Sequence, residues 1–207
     1  MDVTIKAIPV GNWKVNCYLV AIEDEAWLID PGDEFDKIVN YFNLDIFKLK
    51  GILNTHGHFD HVGAIQDIKE IYKIPFLIHS DDERLINRSN LYRRMAGGLS
   101  TTKTPRVDKY LDNLLYLDLK DKRILIHNTP GHTEGGVCFE LDGNLFTGDL
   151  FFESAVGRTD LPGGNKRLLI TSINYVFDKF LGFRIHPGHG ESFILNENLI
   201  RKFKLTI

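Results

Sequence analysis

Cysteine is scarce in this chain. Cys17 and Cys138 are the only two among 207 residues, the first beside Tyr18 and Leu19, the second between Val137 and Phe139. That excludes a disulfide-stapled scaffold and a thiolate metal site, and it predicts two packed free thiols. Long hydrophobic runs are absent too: no apolar stretch approaches membrane-spanning length, so no membrane partner is expected. The start, Met1-Asp2-Val3-Thr4, has no basic stretch followed by an apolar core, and the chain is read as cytoplasmic. An excess of one charge is missing as well. The 25 Lys and Arg stand against 28 Asp and Glu, spread along the sequence for a net charge of −3, which gives no electrostatic footprint for nucleic acid. No fixed-period repeat occurs. What remains is a 43% hydrophobic chain long enough to bury a core unaided, read as a single domain over residues 1–207.

Histidine, by contrast, is concentrated. The run Thr55-His56-Gly57-His58-Phe59-Asp60-His61 holds three of the chain's eight histidines and a carboxylate. Alternate side chains of such a run can swing toward one point, so His56 and His58 can share one ion while Asp60 and His61 reach a second. Neutral imidazole and carboxylate suit divalent zinc, iron or manganese without any thiolate.

The surrounding pattern alternates strands and helices. Val3 to Val10, Cys17 to Ala21 and Ala26 to Ile29 read as an antiparallel meander ended by the turn Asp30-Pro31-Gly32-Asp33. Phe35 to Phe42 reads as helix, Leu49 to Leu53 as a buried strand, Val62 to Tyr72 as helix and Pro75 to Ile78 as strand, forming a βαβ unit with the histidine run at a strand's C-terminal end. A short helix over Asp82 to Asn87 precedes an apolar-poor stretch to Arg106, which contains Gly97-Gly98 and reads as a flexible, solvated basic flap carrying Arg88, Arg93, Arg94, Lys103 and Arg106. Strands follow near Leu114 to Leu117, Ile124 to His127, Val137 to Glu140 and Leu145 to Phe146, then a helix from Lys166 to Phe180 and a strand from Phe183 to His186.

Three further candidate ligands stand beside glycines on loops that leave strand ends: His132 after Gly131, Asp149 after Gly148 and His189 after Gly188. Alone, each reads equally as an ordinary loop residue; their joint fit with the first run makes them a set. His79, His127 and His186 lie at strand ends and read as structural histidines. The tyrosines Tyr92 and Tyr110 are read as structural rather than as pocket residues. Asp30 is equally well explained by its turn and by a role in steadying the histidine run.

The Thr-His-x-His-x-Asp-His run, the later Gly-His, Gly-Asp and Gly-His pairs, Asn16-Cys17-Tyr18-Leu19 and Ile29-Asp30-Pro31-Gly32 together resemble the metallo-β-lactamase superfamily over nearly the whole chain. Gly148-Asp149-Leu150-Phe151 followed by Gly157-Arg158-Thr159-Asp160-Leu161-Pro162-Gly163-Gly164 resembles its small bacterial glyoxalase II-like hydrolases. The resemblance implies an α/β fold, a four-layer αββα sandwich with a dinuclear site at one edge. It implies His56, His58 and His132 on one divalent ion, Asp60, His61 and His189 on the other, and Asp149 bridging, the ions usually zinc, with iron and manganese also used. It also implies Arg158, nine residues after Asp149, as an anchor for an anionic substrate.

The activity so implied is hydrolysis of a thioester such as a hydroxyacylglutathione. Paired metals ~3.5–4 Å apart lower the pKa of a shared water toward neutrality, and Asp60 is placed to orient the resulting hydroxide. A thiol of pKa ~8.5 leaves without obligatory protonation, so no separate general acid is required. Only eighteen residues follow His189, which leaves no room for the helical glutathione-binding domain of full-length glyoxalase II and points to a smaller or different thioester, ester or lactone. The alternative is a mononuclear iron persulfide dioxygenase, whose motifs, including a Gly-Arg-Thr-Asp run, overlap with these. A β-lactamase is disfavoured by Asp149, and RNA-processing members by the charge balance.

Overall fold

The computed structural model describes residues 1–204. β1 (Thr4–Val10), β2 (Val15–Ile22) and β3 (Glu25–Ile29) form the antiparallel meander, with Ile8 opposite Cys17 and Val20 opposite Trp27. α1 (Phe35–Phe42) leads to β4 (Lys48–Leu53), α2 (Ile65–Tyr72) to β5 (Phe76–Ile78), and the short helices α3 (Glu83–Asn87) and α4 (Ser89–Met95) to β6 (Lys109–Tyr110). β3 to β6 pair in parallel, which completes a six-stranded sheet in the order β1-β2-β3-β4-β5-β6. The second half gives β7 (Tyr116–Leu119), β8 (Lys122–Asn128), β9 (Val137–Leu141), β10 (Asn144–Gly148), α5 (Lys166–Lys179), β11 (Arg184–Pro187), β12 (Phe193–Ile194) and α6 (Glu197–Lys204). Its sheet runs β12-β11-β10-β9-β8-β7, antiparallel except for β10 against β11.

Why the strands read as continuous apolar runs is visible in β2, whose eight residues are all buried. Successive side chains point to opposite faces. Cys17, Leu19 and Ala21 join an outer core with Ile38 and Phe42 of α1 and Ile65 and Ile68 of α2. Tyr18, Val20 and Ile22 join an inner core that meets Ile124, Phe139 and Phe146 of the second sheet. A third core packs Leu145 and Ile185 against Ile173, Val176 and Phe177 of α5. Three apolar seams separate four layers, helix, sheet, sheet, helix, so the αββα expectation holds. Both cysteines are free and buried within these seams, as expected. No described helix is long and apolar enough to cross a membrane.

The largest departure from the sequence reading lies at residues 88–106. Residues 89–95 form α4 rather than a flap, because Arg93, one of the residues assigned to the solvated basic face, is only 2% exposed. Its Nη1 lies 2.7 Å from Asp33 Oδ2, and its Nη2 donates to the Phe59 carbonyl at 3.1 Å. Asn90 closes the following loop by donating to Thr102 O at 2.8 Å and accepting from Thr102 N at 2.9 Å. Lys103 pairs with Asp67 and Glu70 on α2 at 2.9 and 2.6 Å. Basic residues that read as solvated thus fasten this segment to the domain. The two-residue strands β6 and β12 and the terminal α6 have no sequence reading behind them. The strand expected at Leu114 to Leu117 sits two residues later, and α2 begins at Ile65 because Val62 and Ala64 are taken up by the turn that follows the histidine run.

Candidate metal centre

All seven candidate ligands lie on loops at one edge of the sandwich. The histidine run follows β4, His132 follows β8, Asp149 follows β10 and His189 follows β11. The two sheets are tied here by Val137 N donating to Thr55 O at 2.9 Å and by Asn16 N donating to Gly188 O at 2.7 Å. β2 holds the His189 loop from below. Asn16 donates through Nδ2 to Pro187 O at 3.0 Å and Gly190 O at 2.8 Å, and the Tyr18 hydroxyl donates to Pro187 O at 2.6 Å. The glycine beside each late ligand is needed for approach. A methyl on Gly188 would overlap the Asp149 carboxylate, and Gly148, at φ +49°, lies so close that its Cβ would collide with Thr55.

These loops bring the ligand atoms into three overlapping triads, His56–His58–His132, His56–His61–Asp149 and Asp60–His61–His189, each with its atoms within 4.8 Å of one another. Asp149 stands between the outer two. Its Oδ1 is 3.6 Å from His61 Nε2, and its Oδ2 is 3.7 Å from His132 Nε2 and 3.5 Å from His189 Nε2. Asp60 Oδ2 is 3.5 Å from His189 Nε2. Of the residues expected to meet here, Arg158 alone is peripheral. It lines the mouth of the cavity above the cluster while its guanidinium forks onto Asp160, Nε to Oδ1 at 2.8 Å and Nη2 to Oδ2 at 2.7 Å.

The donor set fits divalent cations. The Nε2 atoms of His56, His58, His61 and His132 and Oδ1 of Asp149 are buried with no hydrogen-bond partner. Buried polar atoms are nearly always satisfied, so several unsatisfied acceptors aimed at one space imply a ligand that accepts their lone pairs. Protonation states favour the same reading on the first triad. Burial, reinforced by neighbouring imidazoles, pulls His56 well below its ordinary value and His58 down to about 3, leaving both neutral. On the other side, burial lowers His61 and His189 but the carboxylates outweigh it, raising His61 well above its ordinary value and His189 to about 9. Burial opposes ionisation of Asp149 too, yet His61 and His189 hold its carboxyl well below the usual range.

Residues behind the ligands fix their orientation, as outer partners of metal sites do. Asp30, at φ +51° and 1% exposed, accepts Thr55 N at 2.8 Å, Thr55 Oγ1 at 2.6 Å and His61 Nδ1 at 3.0 Å, so it does steady the histidine run. Asn54 donates to the carbonyl of His61 at 3.0 Å. His132 Nδ1 donates to Arg158 O at 2.8 Å, and His189 Nδ1 to Trp13 O at 2.9 Å.

Sequence reasoning missed Asp82. Fully buried, its carboxylate accepts Gly57 N at 2.8 Å, Thr133 Oγ1 at 2.7 Å and Gly135 N at 2.8 Å, so it joins the loop of His56 and His58 to the loop of His132. Burial raises its pKa against those donors. Nothing in Asp81-Asp82-Glu83 marks the middle residue, since an acidic cluster at a helix start is ordinarily solvated. The three remaining histidines have local partners, as expected of structural residues: His79 Nδ1 accepts Asp81 N at 3.3 Å, His127 bonds Tyr175 and Glu140, and His186 bonds Asn144 and Ser192.

Comparison with known proteins agrees with this geometry. The family model described as "Metallo-beta-lactamase superfamily" matches residues 10–189, a span that takes in every ligand candidate. A probable metallo-hydrolase of Bacillus subtilis, YqgX, is 33% identical over 200 residues, covering 93% of each chain. Hydroxyacylglutathione hydrolase GloC of Haemophilus influenzae is 32% identical over 178 residues, 82% of each. Among solved structures, the B3 metallo-β-lactamase BLEG-1 superposes with a TM-score of 0.88 at 30% identity, covering 99% of this chain and 100% of that one. TTHA1623, crystallised in a di-iron-bound form, gives 0.81 at 34% identity over 92% and 94%. Layer order, ligand spacing and these likenesses converge on one assignment: the chain belongs to the metallo-β-lactamase superfamily and is a metallo-hydrolase of that fold.

Proposed function

We propose that the chain is a dinuclear metal-dependent hydrolase of a small acyl thioester. The observation that carries this is the position of Asp149, whose carboxylate faces His132 on one side and His61 and His189 on the other. A carboxylate so placed serves two ions rather than one. His56, His58 and His132 would hold the first, Asp60, His61 and His189 the second, with zinc, iron and manganese all compatible with these donors. When bound, such a pair supplies an acidified water and a positive charge against the substrate's carbonyl oxygen.

The chain's own contribution is orientation and proton control. Burial opposes ionisation of Asp60, but its hydrogen bond to His189 lowers the carboxyl below its usual value, so it enters the cavity as an acceptor able to orient the attacking water. Water adds to the acyl carbon, the C–S bond breaks, and the products are a carboxylate and a thiol. A thiolate leaves at a thiol pKa of ~8.5 without an acid. Arg158 at the mouth is proposed to meet an anionic substrate, which would require displacing Asp160 from its guanidinium.

Support comes from GloC, whose name states hydroxyacylglutathione hydrolysis, and from the di-iron form of TTHA1623. BLEG-1 carries the name of a β-lactamase, so a β-lactam belongs in the same assay. The test is metal content and turnover on one purified sample, using lactoylglutathione, a β-lactam, and oxygen uptake with glutathione persulfide. Two metals with thioester cleavage are expected. One iron with oxygen consumption would replace this reading with a persulfide dioxygenase.

A further inference from the structure

A cavity of about 480 Å3 opens over the ligand cluster, which forms its floor. Its walls are Trp13, Phe59, Leu85, Tyr92, Met95 and Leu161. Among the described residues lining it, Arg158 is the only guanidinium or ammonium, and that charge is compensated by the two-point contact with Asp160. Charged groups of a thiol such as glutathione can therefore find a partner only at the mouth, beside Arg158, whereas an acyl group held over the floor meets the apolar walls. An apolar group instead gains about 25 cal/mol for each Å2 removed from water.

The walls are also preformed. Tyr92 and Met95 project from α4, which the buried Arg93 between them fastens to the histidine run through the Phe59 carbonyl. The same guanidinium lies over the Trp13 ring at 5.5 Å and the Phe59 ring at 5.9 Å, and those two rings meet edge to face at 4.8 Å. One buried arginine thus joins both aromatic walls and the helical wall into a single block, so a ligand finds the surface already ordered.

We infer that the substrate of this site carries an apolar acyl group, aromatic or branched aliphatic, lodged against the Trp13, Phe59, Tyr92 and Met95 walls, and that a small hydroxylated acyl group is a poor fit. The inference rests on the hydrolytic reading above. Met95 is a specificity-determining residue in this account, and at 75% exposure it can be replaced without disturbing the core.

The test uses the metal-loaded full chain with two thioesters of the same thiol, N-acetylcysteamine: phenylacetyl and lactoyl. Because even one methylene in an apolar pocket is worth roughly tenfold or more, kcat/KM for phenylacetyl should exceed that for lactoyl by at least about tenfold. Met95→Asp should lower that ratio about tenfold, chiefly through KM, and Met95→Leu should retain it. Equal turnover of the two esters, or a ratio unmoved by Met95→Asp, would overturn the inference. A second readout needs no turnover. Trp27 is 6% exposed in the inter-sheet core, so of the two tryptophans Trp13 is the one that reports on the cavity. Non-cleavable thioether analogues should quench it with the phenyl compound binding at least about tenfold tighter. Equal affinity would sink the apolar selectivity whatever the activity. Tight phenyl binding without cleavage of any thioester would overturn the hydrolytic reading while the selectivity of the cavity stands.

Discussion

The two halves of the ligand cluster are built differently. His56, His58 and His132 are buried imidazoles, two of them held neutral, and Asp82 braces their loops from behind. Asp60, His61 and His189 mix carboxylate with imidazole, two of the three are half-buried, and the imidazoles hold protons against Asp30, Asp60 and Asp149. The first half is organised to receive a cation with little rearrangement. The second carries its own charge balance, which an incoming cation must replace. Only Asp149 is common to both, which is why the account turns on it.

Replacing that shared group should therefore do the most damage. Asp149→Asn is expected to lower kcat/KM at least about 1,000-fold, beyond the roughly 10–100-fold of an outer-shell change, and to reduce metal stoichiometry at both halves. Elemental analysis beside steady-state kinetics checks it; a variant that keeps two metals would break the comparison at its centre. Asp30→Ala should affect the halves unequally, weakening metal binding at the His61 set by about 10–100-fold and at the His56 set less, because Asp30 contacts His61 directly and reaches His56 only through Thr55. A competitive chelator titration resolves the two, and equal weakening of both would contradict the division.

The opposite lesion is Asp82→Ala, which strands Gly57 N, Thr133 Oγ1 and Gly135 N in the interior. Since each buried unsatisfied group costs roughly 1–3 kcal/mol, a loss of about 3 kcal/mol in denaturant unfolding is expected, with metal loosened first at the His56 set. A variant as stable as the parent would show that Asp82 does not brace these loops.

The last effect is absent at neutral pH, appears only in acid and lies outside the ligands. Burial, with a contribution from Arg184, pushes His186 down to about 4, and it stacks on Phe146 at 4.7 Å between Asn144 and Ser192. A folded value below the ordinary 6.5 means that protonation favours the unfolded chain. The parent should hold its full advantage over His186→Gln above pH 6.5 and lose about 3 kcal/mol of it as the pH falls toward 4, since one pH unit is worth ~1.36 kcal/mol. Parallel stability curves for the two proteins would refute this.

Much of the architecture was legible in the chain. β2 and α1 announce themselves because burial on both faces or on one stripe leaves an apolar pattern, and α1 is observed over the residues expected, Phe35–Phe42. The ligand candidates were legible as a set because metal chemistry restricts residue types and glycine spacing, and the structure gathers all seven at one edge. The misreadings share a cause. Arg93 and Asp82 are charged residues whose partners lie 60 and 51 positions away, at Asp33 and Thr133, so nothing local distinguishes them from solvated neighbours. For the same reason α4 read as a flap: its order comes from Arg93 and from the Asn90–Thr102 pair rather than from an apolar stripe. Arg158 was chosen for its side chain, yet its backbone carbonyl, which orients His132, has the closer connection to the centre.

The central claim is that one carboxylate serves two ions. Crystals of the chain grown with excess zinc, with anomalous scattering recorded on both sides of the zinc edge, address it directly. The account predicts two peaks, one among His56, His58 and His132 and one among Asp60, His61 and His189, with Asp149 in contact with both. A single peak, with Asp60 and His189 turned away from it, would contradict it.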